Sequence, residues 1–204
     1  MVLKHDLARD LLNIKAVQIN PDDYFTWTSG IKSPIYCDNR LTMSHPSIRK
    51  KITNVFMELL KNQEEKPDVI AGCATAGIPH AAWLADALEL PMVYVRSKPK
   101  GHGKGNQIEG EVTKGQKALV IEDLISTGGS SIEAAKALRQ EGLDVIGVFA
   151  IFTYGLHKSV KAFSEEDLKL KAITNFDQLV DVLTADGKVT LEDKDQLIAW
   201  RNAL

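Results

Sequence analysis

Residues 117–131 decide the fold, and they read KALVIEDLISTGGSS. After Lys117 the stretch has an apolar run over residues 118–121 and two adjacent carboxylates, Glu122 and Asp123. Leu124 and Ile125 follow, and then a turn of small hydroxyl residues and glycines. A helix is predicted directly afterwards, over residues 130–141. A continuously apolar strand that leads through a short turn into a helix is typical of a parallel sheet with helices on both faces.

The same alternation of apolar runs and helical segments extends along most of the chain. Strands are predicted at residues 68–72, 91–95, 117–121 and 144–152, with an edge strand at 169–173. Helices are predicted in the first fourteen residues and at 44–63, 77–88, 130–141, 176–183 and 191–201. We therefore predict one α/β domain with a central, mostly parallel sheet flanked by helices.

Composition and charge exclude several classes of protein. The 204 residues carry 25 Lys and Arg against 27 Asp and Glu, a net charge of −2, which lacks the basic footprint of a general nucleic-acid binder. The two cysteines, Cys37 and Cys73, are too few for a disulfide framework and lack metal-ligand spacing, so reduced, buried thiols are expected. The first segment is interrupted by charges, and no window reaches the ~20 apolar residues of a membrane span. We expect a cytoplasmic protein with no nucleic-acid or membrane partner.

The polar part of the opening stretch has the residue types of a sugar-phosphate site. At the end of a parallel strand, Glu122 and Asp123 would face the crevice where open α/β sheets bind ligands, and adjacent carboxylates suit ribose hydroxyls or hydrated Mg²⁺. Hydroxyls and open backbone N–H groups ahead of a helix N-terminus suit a phosphate. They come from Ser126, Thr127, Gly128, Gly129 and Ser130. The alternative interpretation is a helix N-cap at Ser130 or Ser131 beside a solvated strand end.

Three other segments add to this site. Residues 96–105 contain four cations, several glycines and His102, which is typical of a solvated surface loop or of a lid that closes on a leaving pyrophosphate. Residues 71–79 form a small-residue loop between a strand and a helix, where backbone N–H groups can approach an anion. Residues 25–36 are an aromatic-flanked turn that contains Lys32. Neither a Walker loop nor a dinucleotide-binding glycine pattern is present.

The carboxylate pair and the Thr-Gly loop resemble the phosphoribosyl pyrophosphate (PRPP) motif of the type I phosphoribosyltransferases. The resemblance implies PRPP as substrate, Mg²⁺ carried with PRPP and held in part by Glu122 and Asp123, and catalytic roles for Lys100, His102 and Asp123. Lys100 or His102 would be the general acid. The implied PRPP-binding residues are Arg96, Lys100, His102, Glu122, Asp123, Leu124, Ile125, Ser126, Thr127, Gly128, Gly129 and Ser130.

Within that family the chain resembles the members that act on orotate, whose N-terminal hood carries the F-T-x-x-S-G-x-K-S-P pattern found here from Phe25. This resemblance implies a hood of residues 1–40, a core of 41–185 and a C-terminal helix of 190–203. It also implies a homodimer in which the lid of one subunit acts in the site of the other. Transfer to orotate would give orotidine 5′-monophosphate and pyrophosphate.

The chain departs from that pattern at the orotate carboxylate. Some members carry an arginine after the strand that corresponds to residues 144–152, where this chain has Tyr154-Gly155-Leu156. Orotate contacts are therefore assigned to Ser126, Lys32 and Arg40, with backbone N–H groups as the alternative for the carboxylate. A purine-base phosphoribosyltransferase and a PRPP-sensing regulator without turnover are the competing functions.

Overall fold

The computed structural model describes residues 2–21, 23–26, 30, 32–97 and 107–204, with residues 2–5 described by their backbone alone. Its helices are α1 Val2–Asn13, α2 Pro46–Lys61, α3 Gly77–Leu88, α4 Gly129–Gln140, α5 His157–Glu165, α6 Phe176–Ala185 and α7 Leu191–Asn202, with a 3₁₀ helix at Asn39–Ser44. Its strands are β1 Val17–Ile19, β2 Phe25–Thr26, β3 Lys32–Ser33, β4 Ile35–Cys37, β5 Val69–Cys73, β6 Met92–Val95, β7 Ile108–Glu109, β8 Lys117–Ile125, β9 Asp144–Thr153 and β10 Leu170–Asn175.

The central sheet has six strands in the order β10-β9-β8-β5-β6-β7. All neighbouring pairs are parallel except β6 with β7, which are antiparallel. Two short antiparallel ribbons, β1 with β4 and β2 with β3, come from the N-terminal region. The α/β prediction is confirmed, and β8 lies near the middle of the sheet, where its apolar residues are covered on both faces.

Two hydrophobic clusters, one on each face, bury the sheet. One cluster contains apolar residues of α1, α2, α3 and α6, such as Leu11, Phe56 and Phe176, together with one face of the strands. The other contains residues of α4 and α5, such as Leu138 and Phe163, with the opposite face. Successive residues of β8 point to opposite faces of the sheet. Leu119 and Ile121 belong to the first cluster, and Ala118 and Val120 belong to the second.

Most predicted elements match, but the end of the β8 strand was placed too early. The strand was predicted to stop at Ile121, whereas it continues through Glu122 and Asp123 to Ile125. The extension arises because β9 stays paired with β8 up to Ile125 and Thr153, so polar residues share the ladder. The carboxylates therefore belong to a rigid strand and not to a loop.

The short strands β1, β3 and β4 and the 3₁₀ helix of the N-terminal region were not predicted, and neither were two later elements. The glycine-rich segment after residue 95 contains the short strand β7, and helix α5 follows β9. Helix α5 has a polar sequence, HKSVKAFSE, in which Phe163 is the large buried apolar residue, so its pattern is weak. Within the described residues, no helix is long and apolar enough to cross a membrane.

Candidate functional site

The candidate site lies at the carboxyl ends of β5, β6 and β8, where the loops of an open parallel sheet form a crevice. A cavity of about 210 Å³ follows the end of β8. Its lining residues are Glu122, Leu124, Ile125, Ser126, Thr127, Gly128, Gly129, Ser130 and Ser131. The structure thus brings together the whole predicted string from Glu122 to Ser130 except Asp123, which is not part of the cavity lining.

The N-terminus of α4 forms one wall of this cavity. Gly128 has φ +85°, and a Cβ atom there would lie 2.6 Å from Cε2 of Phe163, so both the turn and the packing require glycine. Gly128 is also the N-cap of α4, so the alternative interpretation of Ser130 or Ser131 as an N-cap is wrong. Ser131 donates instead to the carbonyl of Gly128, at 3.1 Å. The first N–H groups of a helix lack partners in the helix itself, which suits a phosphate.

The two carboxylates are shielded from solvent. Glu122 is 7% exposed and Asp123 is partly buried, so the alternative of a solvated strand end is wrong. Oε1 of Glu122 accepts a hydrogen bond from the N–H of Asp123, at 3.0 Å. Burial raises the pKa of both carboxyl groups, and their contact with each other raises that of Glu122 further. Two neighbouring carboxyl groups can accept hydrogen bonds from ligand hydroxyls or can ligate a cation.

The other side of the crevice is formed by the ends of β5 and β6. A second cavity, of about 220 Å³, is lined by residues that include Cys73, Ala74, Arg96 and Ser130. The start of helix α3 packs closely against β8. A Cβ atom on Gly77 would lie only 2.4 Å from the carbonyl oxygen of Ile121, so only glycine fits there. This contact keeps the loop of residues 74–76 beside the carboxylates.

Arg96 stands at the described edge of the predicted lid. Its Nη1 lies 3.3 Å from Oε1 of Glu109, and its backbone N–H donates to the carbonyl of Gln107. Gln107 returns a side-chain hydrogen bond to the carbonyl of Arg96, at 2.8 Å. The two ends of the lid are thus tied together. Lys100 and His102 lie outside the described residues.

The two cations predicted to hold a ligand carboxylate lie in the N-terminal region. Arg40 already pairs with Asp38 through two hydrogen bonds, of 2.6 and 3.1 Å. Lys32 is exposed, and its carbonyl accepts from Nε1 of Trp200 in α7, at 3.3 Å. A carboxylate that binds Arg40 would compete with Asp38, whereas no such intramolecular carboxylate is seen at Lys32 among the described side chains.

Asn39 is a site residue that the sequence reasoning missed. Its Nδ2 donates to the backbone carbonyl of Asp123 at 2.7 Å, and its side chain is fully buried. No sequence signal marks it, because the contact joins residues 84 positions apart. No group of three or more metal-ligating side chains occurs in the described part of the chain.

Comparison with known proteins agrees with this geometry. Residues 43–181 match the family model described as "Phosphoribosyl transferase domain". The chain is 60% identical over 202 residues to "Orotate phosphoribosyltransferase" of Oceanobacillus iheyensis, covering 99% of this chain and 100% of that protein. It is 56% identical to the protein of the same name from Listeria innocua, covering 98% and 96%. The solved structure of orotate phosphoribosyltransferase from Aeropyrum pernix superposes with a TM-score of 0.76 at 28% identity, covering 89% of this chain and 98% of that one.

Proposed function

The chain belongs to the phosphoribosyltransferase family, and from that membership we infer that it transfers the 5-phosphoribosyl group of PRPP to orotate. The products are orotidine 5′-monophosphate and pyrophosphate, a step of pyrimidine biosynthesis. The full-length match to relatives named for this activity favours orotate over a purine base and favours turnover over a purely regulatory role.

The reaction forms the bond between N1 of orotate and C1′ of the ribose and breaks the bond between C1′ and the pyrophosphate oxygen. The electron pair of the broken bond leaves with pyrophosphate, and the N1 proton of orotate is lost to solvent or to a base. Positive charge develops at C1′ in the transition state, so the protein has to place both reactants and stabilise the leaving group. A protein nucleophile is not needed.

The arrangement that carries this function is the carboxylate pair beside the anion cradle. Asp123 and Glu122 face the ribose hydroxyls, and the α4 N-terminus with Ser126, Thr127 and Ser130 holds the 5′-phosphate. Arg96, with Lys100 and His102 of the lid, faces the pyrophosphate, and Lys100 or His102 is the general acid. The roles of Glu122, Ser126, Thr127 and Ser130 are supported by the cavity that they line together, and Gly129 and Ser130 also line the neighbouring cavity that Arg96 lines.

Magnesium enters this scheme with PRPP. Glu122 and Asp123 supply oxygen ligands, the type that Mg²⁺ prefers, but two carboxylates are too few for an all-protein site. The pair would hold an ion that arrives already bound to PRPP. When bound, the ion would neutralise charge on the leaving group.

The remaining assignments concern the base, the dimer and the compartment. Ser126 and Lys32 contact orotate, and its carboxylate is held by Lys32, by Arg40 after release from Asp38, or by backbone N–H groups. The active enzyme is a homodimer whose lid acts in the partner's site. The cytoplasm is the predicted compartment.

A base panel tests the function. The protein is incubated with PRPP, Mg²⁺ and orotate, uracil, adenine or hypoxanthine, and pyrophosphate release is measured. Orotate should be strongly preferred over uracil, because donors arranged for the carboxylate stay unpaired with uracil, at roughly 1–3 kcal/mol each. Equal turnover of uracil or of a purine would overturn the assignment of the base, and no turnover at all would favour the regulator.

A further inference from the structure

Three buried polar residues, Asn39, Thr42 and His80, form a connected group behind the carboxylates. Asn39 and Thr42 are fully buried and His80 is 1% exposed. Polar groups in such a position cost free energy unless they are hydrogen-bonded. Two acceptors of this group, Oδ1 of Asn39 and Nδ1 of His80, find no partner among the described residues. Two unpaired buried acceptors lower the stability of the fold. Stability alone therefore does not explain why these three polar residues are buried together.

The first link explains how the end of β8 is held. Strand β5 pairs with β8 only as far as Gly72 and Ile121, and β8 continues four residues further. The carbonyl of Lys117 faces β5, where it accepts from Asp68 N–H, and the carbonyl of Ile121 faces Gly77 at the start of α3. Carbonyls of alternate residues point to the same side of a strand, so that of Asp123 also faces the side where β5 has ended.

The Asn39 amide takes the place of the missing strand there. Nδ2 of Asn39 donates to the Asp123 carbonyl at 2.7 Å. The main chain that carries the Asp123 carboxyl group is thereby fixed from the open side of β8, while β9 holds it from the other.

The second link ties Asn39 to helix α3. Thr42 donates its hydroxyl proton to the carbonyl of Asn39, at 2.6 Å. The hydroxyl oxygen lies 3.3 Å from Nε2 of His80 and must accept there, which assigns the His80 proton to Nε2. Burial lowers the pKa of His80 to about 4, so the ring is neutral near pH 7. Because α3 directly follows the loop of residues 74–76, the links join the two sides of the crevice.

We propose that Asn39 is a positioning residue of the transfer reaction, held in place by Thr42 and His80. It fixes the Asp123 main chain at a set distance from the α3 loop, so that the ribose and pyrophosphate ends of PRPP meet preformed partners. This role rests on the proposed function, since it concerns the binding of PRPP. Asn39 is next to Arg40 in the chain, but its side-chain donor is directed at the Asp123 main chain, so binding of orotate is expected to depend on it less than binding of PRPP.

Isosteric variants test the role. Asn39→Leu has a similar volume but no donor, and it should lower kcat/KM for PRPP by about tenfold or more while the KM for orotate changes less than about twofold. Thr42→Val removes the hydroxyl and should lower kcat/KM for PRPP about threefold. Thr42→Ser keeps the hydroxyl and is the matched control, with values near those of the wild type.

Thermal unfolding and PRPP·Mg²⁺ binding by calorimetry accompany the kinetics. Folded Asn39→Leu protein with unchanged PRPP parameters, or equal losses for both substrates, would overturn the proposal. If Asn39→Leu does not fold, the Thr42→Val and Thr42→Ser pair decides, because equal kinetics in these two variants would also overturn it. The wild type in the same assay separates a failure of the proposed function from a failure of the positioning role. If the wild type does not turn over orotate, the proposed function is rejected. Calorimetry would still report whether Thr42→Val weakens PRPP binding.

Discussion

Asp123 is the residue on which the proposed chemistry depends most directly. Asp123→Asn keeps the shape of the side chain and removes its negative charge from the ribose site. Activity should fall more than about tenfold, or ~1.4 kcal/mol of barrier, while the unfolding midpoint stays near that of the wild type. Steady-state kinetics with saturating orotate measure this. A wild-type rate would mean that this carboxyl group has no part in the reaction.

Burial of Glu122 should make the stability of the protein depend on pH. Because burial raises its folded-state pKa, the folded protein holds this proton at pH values where the unfolded chain has released it. Stability from this group is therefore complete below its unfolded pKa and is lost as the pH rises.

Glu122→Gln removes that loss. The free energy of unfolding of the variant and of the wild type is measured by denaturant at pH 5 and pH 8. At pH 8 the variant should be more stable than the wild type by over ~1 kcal/mol, and at pH 5 the difference should be smaller. Its activity should fall. A stability difference that does not change with pH would show that Glu122 titrates normally.

The cavity lined by residues 122–130 could be predicted because these residues are consecutive in the sequence. The string from Glu122 to Ser130 is local, so its cavity follows from one strand, one turn and one helix start. The degree of burial of Glu122 and the Asn39 contact were not predictable, because both depend on packing between segments far apart in the chain. The pairing of Arg40 with Asp38 shows a further limit, since a cation two residues from an acid can satisfy it locally.

At the scale of elements, α7 is the link between the core and the hood. Nε1 of Trp200 donates to the carbonyl of Lys32 in β3, and the Trp200 ring lies 6.1 Å from that of Phe176 in α6. Arg201 pairs with Asp177 at 2.9 Å and lies beside Gly155, after β9. The hood strand that carries Lys32 therefore depends on a helix about 170 residues away.

Trp200→Phe tests this link. The variant keeps an aromatic ring against Phe176 and loses the N–H donor to Lys32. The KM for orotate should rise about threefold or more with little change in the KM for PRPP, since only the base side is loosened. Leu197→Val is the control, because Leu197 is buried in the same helix and the substitution lowers stability without touching β3. A rise in the orotate KM in the control as well would assign the effect to general destabilisation.

Element types were predictable from the sequence where periodicity was strong, as for α3, whose predicted bounds of 77–88 are those observed. The end of β8 was not, because polar residues inside a ladder look like a loop. Helix α5 was missed because little of its surface is apolar.

For the whole molecule, the proposed exchange of lids makes a test by complementation. Lys100→Ala and Asp123→Ala are each expected to be inactive as pure proteins. After mixing and subunit exchange, a mixed dimer would contain one site with an intact lid and an intact Asp123. Activity should recover to about a quarter of the wild-type level at random pairing, because half of the dimers are mixed and each has one working site.

A mixture of one variant with itself provides the control. Two differently tagged Asp123→Ala proteins, mixed in the same way, should stay inactive. Subunit exchange is verified by copurification of the tags. Exchange without recovery would place the lid in its own subunit's site.

The strand order also has a kinetic consequence. Strands β8 and β9 are neighbours in the sheet and are joined only by α4, whereas the pairing of β5 with β8 must close a segment that contains α3, β6, β7 and the lid. Closing a longer segment costs more chain entropy before any contact compensates for it, so β8-α4-β9 should form first during folding. The turn that we propose holds the 5′-phosphate lies inside that early unit. We expect backbone amides of β8 and β9 to gain protection from hydrogen exchange before those of β6. The end of the crevice at β8 and α4 would then be folded while the end at β5 and β6 is still unfolded.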